Sequence, residues 1–552
     1  MSDRPAAPSF RPRWPVVALA AAAAAATAGG AALLDGDEAA QSTPAVSLAP
    51  AVAASDQPRG VADESRETDA LRRARAAAPP PILRSWRSPD LEADAALRKL
   101  ARRAEASELR DATRVRDVLR RGLLLGQLDR ETHDRHLVTW AEALEARDDL
   151  PGRRAKELGV VVDGVQRLAD RGLLSASRME PAFLMLRENT RLWRTAKLPG
   201  HGDRRTVAGG AVVLQYYDGR GWQLQPLATW GEINALAARC LAASQAREDS
   251  ERTCPRQRKR LRERLDTILD LAVPRGGRYP AWEYFFTYAG GSPPWVSGMA
   301  QATAAQALAR AGSALDADRY RNQAREVLGA FEHRPPLGVA VPGPDAGAHY
   351  ALYSFRSDLR VLNAELQAVL ALRDVTTLTG DTTARELYLR GDRAVRATLG
   401  RYDTGTWSRY SADGREATAG YHRLQRRLLG ELCERTQRGG YCAPHKRFLR
   451  YEGERPDIDL DVPDRARTGR EVTVRFTLSK TAKVAVRVTD NRDEINTSRV
   501  LRLPRGTHEV TWTASRGGPH TVRVEARGPT GPAEVEREKV RVADPKGEPR
   551  KK

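Results

Sequence analysis

Five tryptophans are the first residues in this 552-residue chain whose type and placement suggest chemistry. Trp222, Trp230, Trp282, Trp295 and Trp407 each fall in a predicted loop or near a predicted helix end. An indole face stacks well on the C–H face of a pyranose ring because both are apolar, so the pattern points to a carbohydrate. Core packing is the plain alternative for Trp282 and Trp295. Other chemical constellations are missing. There is no Gly-x-Gly-x-x-Gly before a helix, no phosphate loop ending in Gly-Lys-Ser/Thr, no His-Glu-x-x-His and no Gly-x-Ser-x-Gly. His133 and His136, in Thr-His-Asp-Arg-His, have the spacing of a ligand pair but no evident third ligand, and are expected on a solvated helix face. No metal or cofactor is therefore expected.

The elements that would hold these residues change period along the chain. From about 88 to 194 the apolar residues recur every three or four positions: Leu91, Ala95, Leu97 and Leu100, then Leu119, Leu123, Leu124 and Leu128, then Val160, Val161, Val165 and Leu168. Pro151-Gly152 and Gly172 separate successive helices. Residues 211–226 read as a hairpin turning at Asp218-Gly-Arg-Gly221. Helices are expected again at 233–246, 261–271, 296–311, 319–331, 362–379, 384–399 and 421–434. Many antiparallel helices with aromatic loops suggest an α/α toroid, with a generic bundle or solenoid as the alternative. From about Pro456 the period becomes two, and roughly seven short strands predict an immunoglobulin- or fibronectin-like β-sandwich with Trp512 in its core.

Within the helical part, four blocks occur in order: Pro294-Trp-Val-Ser-Gly-Met-Ala-Gln301, Tyr353 leading into Val361-Leu-Asn363, Arg401-Tyr-Asp-Thr-Gly405 with Tyr410, and Tyr421-His422. This stretch, 293–436, resembles the C-terminal helical domain of D-glucuronyl C5-epimerase, which inverts carbon five of a uronic acid within a polysaccharide. The resemblance implies that Tyr353, Tyr410 and Tyr421 are catalytic, with Tyr353 and one of the other two on opposite faces of the sugar. Such a reaction removes a proton alpha to a carboxylate, returns one from the other side, and needs no cofactor. Its barrier is the developing enolate, so the site must offer a base, an acid and donors to the carboxylate. A phenol ionises near pH 10, so a tyrosine base needs nearby positive charge. Sequence proximity nominates Arg356, Arg409 and Arg423 as carboxylate clamps and Asn363 and Gln301 as hydrogen-bond donors. His422 would orient Tyr421 or contact the sugar, and Trp295 would stack on it.

The chain also departs from the family pattern. Leu352 and Ser354 stand where the family has a glutamate before the tyrosine and a proline after it, and Arg423-Leu-Gln425 replaces a His-Asn-Gln continuation. Glu283 is the candidate to replace the missing carboxylate. Two alternatives stay open: a uronate lyase, which eliminates from the same enolate, and a non-catalytic acidic-polysaccharide-binding protein on a degenerate scaffold.

Charge and compartment complete the reading. The chain carries 91 basic and 71 acidic residues, a formal +20, with 11 lysines and 80 arginines. Such arginine bias is compositional, or it marks a basic surface for a polyanion. Arg4, Arg11 and Arg13 precede an uncharged run from Trp14 to Leu34, the pattern of an export signal or a single membrane anchor over residues 1–35. A linker at 36–87, a helical domain at 88–450, the sandwich at 456–545 and a basic tail at 546–552 complete the expected plan. Four cysteines in two close pairs, Cys240/Cys254 and Cys433/Cys442, suit two small disulfide loops in an oxidising space. Expected partners are an acidic polysaccharide, the membrane through the N-terminal segment and a second copy of the chain, but not nucleic acid.

Overall fold

The computed structural model describes residues 114–245, 250–412, 414–492 and 495–544. The predicted anchor, linker and tail, and the Leu91–Leu100 repeat, lie outside them. Two compact units divide the chain: the residues up to Pro342 with Tyr350–Asp358 and Ala371–Arg390, and Gly343–His349 with Leu359–Leu370 and the residues from Gly391 onward.

The described part of the first unit begins with helices α1 (Val115–Leu124), α2 (Arg130–Asp149), α3 (Arg153–Asp170) and α4 (Ala176–Thr195). Their predicted apolar positions turn inward: Leu119, Val161, Val165 and Leu168 are buried. Asp129 starts α2 by accepting the Thr132 N–H at 2.7 Å, which satisfies one of the helix's open donors. His133 and His136 face inward too, 9% and 2% exposed, so the expected solvated face is corrected. His136 lies against the Phe183 ring on α4, which its position in a charged pentapeptide concealed.

Strands β1 (Arg204–Val207), β2 (Val212–Tyr217) and β3 (Gly221–Leu224) form an antiparallel sheet in that order. At the predicted turn, Gly219 and Gly221 have φ of 71° and 72°. A Cβ on Gly221 would sit 2.5 Å from Val161, so both conformation and close approach demand glycine. Buried Glu157 accepts the N–H groups of Gly219 and Gly221, each at 2.9 Å, and pins the turn to α3.

Helix α5 (Pro226–Gln245) starts seven residues before the expected Ile233, because proline fits a first helical turn as readily as it ends a strand. It packs along α7 (Gly298–Ala314), after α6 (Ser250–Asp270), β4 (Val273–Arg275) and β5 (Tyr279–Ala281). Almost all of α7 is buried, and a Cβ on Gly298 would collide with the Ala351 carbonyl. The predicted 319–331 helix is two pieces, α8 (Asp318–Glu326) and α9 (Gly329–Glu332). Strands β6 (Ala340–Pro342) and β7 (Ala348–Tyr350) follow, then α10 (Leu362–Thr379) and α11 (Thr382–Thr398). On the first unit's part of α10, Asp374 accepts from Gln306 at 2.9 Å and Arg310 at 2.7 Å, and Asn234 completes this buried network from α5.

In the second unit, α12 (Ala419–Thr436) pairs with α13 (Gly439–Gly453), joined by the Cys433–Cys442 disulfide. That is one of the two expected bridges. The Cys254 side chain of the other falls outside the described side chains. Eight strands follow: β8 (Ile458–Asp461), β9 (Arg465–Arg467), β10 (Glu471–Leu478), β11 (Ala482–Thr489), β12 (Ile495–Leu503), β13 (Gly506–Thr513), β14 (Gly518–Arg527) and β15 (Ala533–Ala543). They make a three-stranded sheet, β13-β10-β8, and a five-stranded one, β12-β11-β14-β15-β9. Every pair is antiparallel except β15 with β9. Alternate residues of both sheets share one core, among them Val474, Phe476, Val486, Val524 and Trp512, as the period-two pattern requires.

Candidate active site

In the first unit, the block around Trp295 builds an aromatic stack. Tyr284 lies flat on Trp295, with centroids 4.0 Å apart and planes 2° apart, and Tyr353 meets the Trp295 edge at 5.5 Å. Tyr353 in turn stacks on Phe355 at 5.2 Å. Backbone bonds fix the tyrosine loop: Gly298 donates to the Leu352 carbonyl and Ser354 to the Val296 carbonyl, both at 3.0 Å. Tyr353 is left 5% exposed.

The same geometry corrects several expectations. Trp295 is 1% exposed and donates its indole N–H to the Phe286 carbonyl at 2.8 Å. Trp222, Trp230, Trp282 and Trp407 are equally buried, so none of the five offers a face for stacking a sugar. Each is too large and apolar to leave a helix junction uncovered. Gln301 is spent on structure: its amide donates to the Pro280 carbonyl at 3.1 Å and accepts from the Trp282 N–H at 3.2 Å. Arg356 is part-exposed and faces Asp358 at 3.4 Å, an ion pair on its own loop.

Glu283 does not replace the missing carboxylate. Arg178 grips both its oxygens, at 2.6 and 3.0 Å, and Arg275 adds a bond at 2.5 Å, with all three side chains buried. Arg275 is itself tied to the Leu337 and Pro336 carbonyls. Burial pushes the carboxyl up, but the charges of Arg178 and then Arg275, with their hydrogen bonds, outweigh it and hold it below the usual range. A carboxylate locked in this way is a structural anion.

In the second unit, the loop between Asp403 and Ala417 brings Tyr410 against Tyr421, with ring centroids 4.7 Å apart. Tyr410 is half-buried and Tyr421 is 7% exposed. The Tyr410 N–H donates to the Arg415 carbonyl at 3.0 Å, and its own carbonyl accepts from Leu362, the first residue of α10, at 3.3 Å. Tyr421 sits in the first turn of α12, whose cap, Thr418, accepts its N–H at 3.4 Å. Gln425, one turn further along α12, donates to the Arg409 carbonyl at 2.9 Å.

Asn363 lies in the first turn of α10, 1% exposed, and neither its amide nitrogen nor its oxygen has a protein partner among the described residues. A buried amide in that state is costly unless something fills it, which suits a ligand-binding role. Arg409 donates to the Gly414 carbonyl within its own loop at 3.0 Å, while Arg423 is exposed on α12.

His422 is corrected. It is fully buried, receives the Ser408 hydroxyl on Nδ1 at 2.7 Å, donates from Nε2 to the Phe448 carbonyl at 2.9 Å, and lies flat on Trp407 at 3.7 Å. Burial lowers its pKa to about 4, so it is neutral and structurally spent.

Sequence reasoning missed two features. Glu365, 1% exposed, accepts from the Tyr402 hydroxyl at 3.2 Å and lies 2.9 Å from His349 Nδ1 without the alignment of a hydrogen bond. Burial first, and then Glu365, push the Tyr402 hydroxyl far up. The signal was present: within Leu362–Leu372 of α10, Glu365 is the one charged residue.

The other is the β10–β11 turn. Ser479 accepts from Thr406 at 2.7 Å, and Thr481 N–H donates to Glu416 at 2.6 Å. Lys480, 1% exposed, donates to the Glu454 and Tyr451 carbonyls at 2.9 and 3.3 Å and sits over the Trp407 ring. The turn thus grips both ends of the tyrosine loop, and nothing in its sequence announces that.

Among the described residues no cluster of three or more His, Cys, Asp or Glu could hold a metal, and no helix is long and apolar enough to cross a membrane.

The sequence profile of the D-glucuronyl C5-epimerase C-terminus matches residues 276–450. An uncharacterized protein of Methanocaldococcus jannaschii is 27% identical over 173 residues, 30% of this chain and 56% of that protein, so the chain spans about half the length of the curated relative it matches. Among solved structures, D-mannose isomerase is 10% identical with a TM-score of 0.30, over 54% of this chain and 74% of that one. Cellobiose 2-epimerase from Spirochaeta thermophila is 14% identical with a TM-score of 0.31, over 56% and 73%. The four sequence blocks lie inside the matched segment, so the likeness of residues 276–450 to the D-glucuronyl C5-epimerase C-terminus takes in all of them.

Proposed function

We propose that the chain is a carbohydrate epimerase acting at carbon five of uronic acid residues in a polysaccharide, outside the cytoplasm. On this reading its helical part is an α/α toroid and its strands form a fibronectin-like sandwich. The observation that carries the proposal is the Tyr410–Tyr421 pair, 4.7 Å between ring centroids, held by backbone bonds within the family segment. One phenolate of such a pair takes the proton alpha to the carboxylate, and an acid on the opposite face of the sugar returns one. Asn363, with its unfilled amide, holds a substrate oxygen.

The second reading, a non-catalytic polysaccharide-binding protein, draws on one observation. Leu352 stands at the family's glutamate, and the substitute carboxylate, Glu283, is locked between two arginines. One experiment separates the two. The protein is incubated in heavy water with uronic acid polymers, and the digested products are examined by NMR and mass spectrometry. Epimerisation places deuterium at carbon five with inversion. Tyr410→Phe and Tyr421→Phe each lower that exchange by roughly 100-fold or more while the fold is kept, and Tyr353→Phe tests its own contribution. Full activity in both of the first two variants refutes the assignment. An unsaturated product makes the protein a lyase, and binding without exchange makes it a binder.

A further inference from the structure

The outward face of the five-stranded sheet is basic in a way that composition alone does not explain. Val484, Val486 and Val488 of β11 point into the core, so Lys483 and Arg487 point away from it. The strand register then lines cations up across the sheet. Lys483 stands directly opposite Arg502 on β12 and Arg527 on β14. Four residues along, Arg487 stands opposite Arg523 on β14, which stands opposite Arg537 on β15. At the far edge, Arg541 on β15 faces Arg465 on β9.

Like charges directly opposite on neighbouring strands destabilise a sheet, and this face repeats the arrangement five times. The three-stranded sheet behaves differently: there Arg475 on β10 faces Glu509 on β13 in an ion pair of 2.8 Å. Arginine-rich drift would scatter such pairings over both sheets.

Glu525 is the one acid on the outward face among the described residues, and it bonds Arg523 at 2.6 Å. Its hydrogen bond to Arg523, and then the charges of Arg523, Arg527 and Arg487, hold its carboxyl below the usual range, which reports the positive field there.

We propose that this face binds a linear acidic polysaccharide, a polyuronate chain running across β12, β11, β14 and β15. Neighbouring strands lie about 4.8 Å apart, the scale of one sugar ring, so each row of cations can meet successive carboxylates. Between the two rows, Val500 and Ala485 make a short apolar patch that suits the C–H face of the polymer, while Glu525, held by Arg523, separates it from Val535. The face carries no aromatic residue, neither the bulky anchors of a membrane surface nor the stacking platforms of a nucleic-acid site. The partner's identity rests on the epimerase reading; the surface does not.

The test uses the full chain, with polygalacturonate and alginate as probes and dextran as the neutral control. Parent protein binds both polyuronates with an affinity that falls as salt rises. The double variant Lys483→Glu/Arg487→Glu binds about tenfold or more weakly at about 0.1 M salt. Its melting temperature is unchanged or higher, because each new glutamate faces arginines across the strands. Parent-like binding by that variant overturns the proposal. So does parent binding no stronger than to dextran, or stronger binding to phosphatidylglycerol vesicles or duplex DNA at equal salt. Carbon-five exchange on a short uronate oligosaccharide is measured alongside. A failed surface leaves that exchange intact, and a failed epimerase assignment leaves the salt-dependent binding intact.

Discussion

Acidification should destabilise this protein through buried neutral histidines, and His136 isolates the effect. Its ring is 2% exposed, lies 4.4 Å from that of Phe183, and has no hydrogen-bond partner on Nε2, with Glu180 Oε2 at 3.6 Å. Burial, and then the charges of Arg135, Arg187 and His133, lower its pKa from 6.5 to about 4, with Asp129 opposing. Between those values the unfolded chain binds a proton that the folded one refuses, so stability falls as pH drops through 6.5 and the loss saturates below about 4. At about 1.36 kcal/mol per pKa unit, the ceiling is on the order of 3 kcal/mol, of which about 2 kcal/mol is lost by pH 5. His136→Phe keeps the aromatic contact and removes the proton site. Urea-unfolding midpoints at pH 7, 6 and 5 should therefore show a shallower decline in the variant, by about 2 kcal/mol at pH 5. His422, also lowered to about 4, leaves the variant with its own share of the decline. Equal declines in parent and variant, or a ring-proton titration of His136 near 6.5, would refute the reasoning.

Two further substitutions test the architecture around the tyrosines. Glu283→Gln leaves buried Arg178 and Arg275 without a counter-charge and should cost about 3–5 kcal/mol in urea unfolding; a variant that unfolds like the parent would reopen Glu283 as a proton carrier. Lys480→Met keeps the buried stem but removes the donor to the Tyr451 and Glu454 carbonyls. Amide hydrogen exchange should rise in the Asp403–Ala417 loop, and kcat for carbon-five exchange should fall with KM little changed. Unaltered loop protection would show that the turn does not position Tyr410.

The sequence announced elements whose burial is periodic and stayed silent on contacts that depend on tertiary placement. The runs on α3 and on β10 and β11 could be read directly, because a period near 3.6 or of 2 follows from which face is buried. The family resemblance nominated Tyr410 and Tyr421, and sequence proximity nominated Asn363; no periodicity pointed to them. Sequence could not tell a tryptophan that stacks on sugar from one that fills a helix junction, since both sit near loops. The same ambiguity misled for His422 and Gln301, polar residues beside a candidate site whose bonding capacity turned out to be spent on Ser408, Phe448, Pro280 and Trp282. Glu283 is the converse: a charge whose partners lie 105 and 8 residues away, beyond any local pattern.

The C-terminal strands now have two distinct relations to the proposed chemistry. Through Ser479, Lys480 and Thr481 they hold the loop that carries Tyr410, by bonds to Thr406, Glu416, Tyr451 and Glu454. Through the outward rows of β11 and β14 they present cations to a polyanion. The two roles use residues of different kinds. Lys480 is buried, Ser479 and Thr481 are half-buried, and each is bonded to the tyrosine loop or to the end of α13, so changes to the turn act on the geometry of that loop. The rows are largely exposed and mutually repulsive, so changes to them act on affinity and salt dependence. Kinetics can therefore separate them: a turn variant lowers turnover on short and long substrates alike, whereas a row variant weakens only the binding of long polymers. A strand segment that served merely as a spacer would do neither.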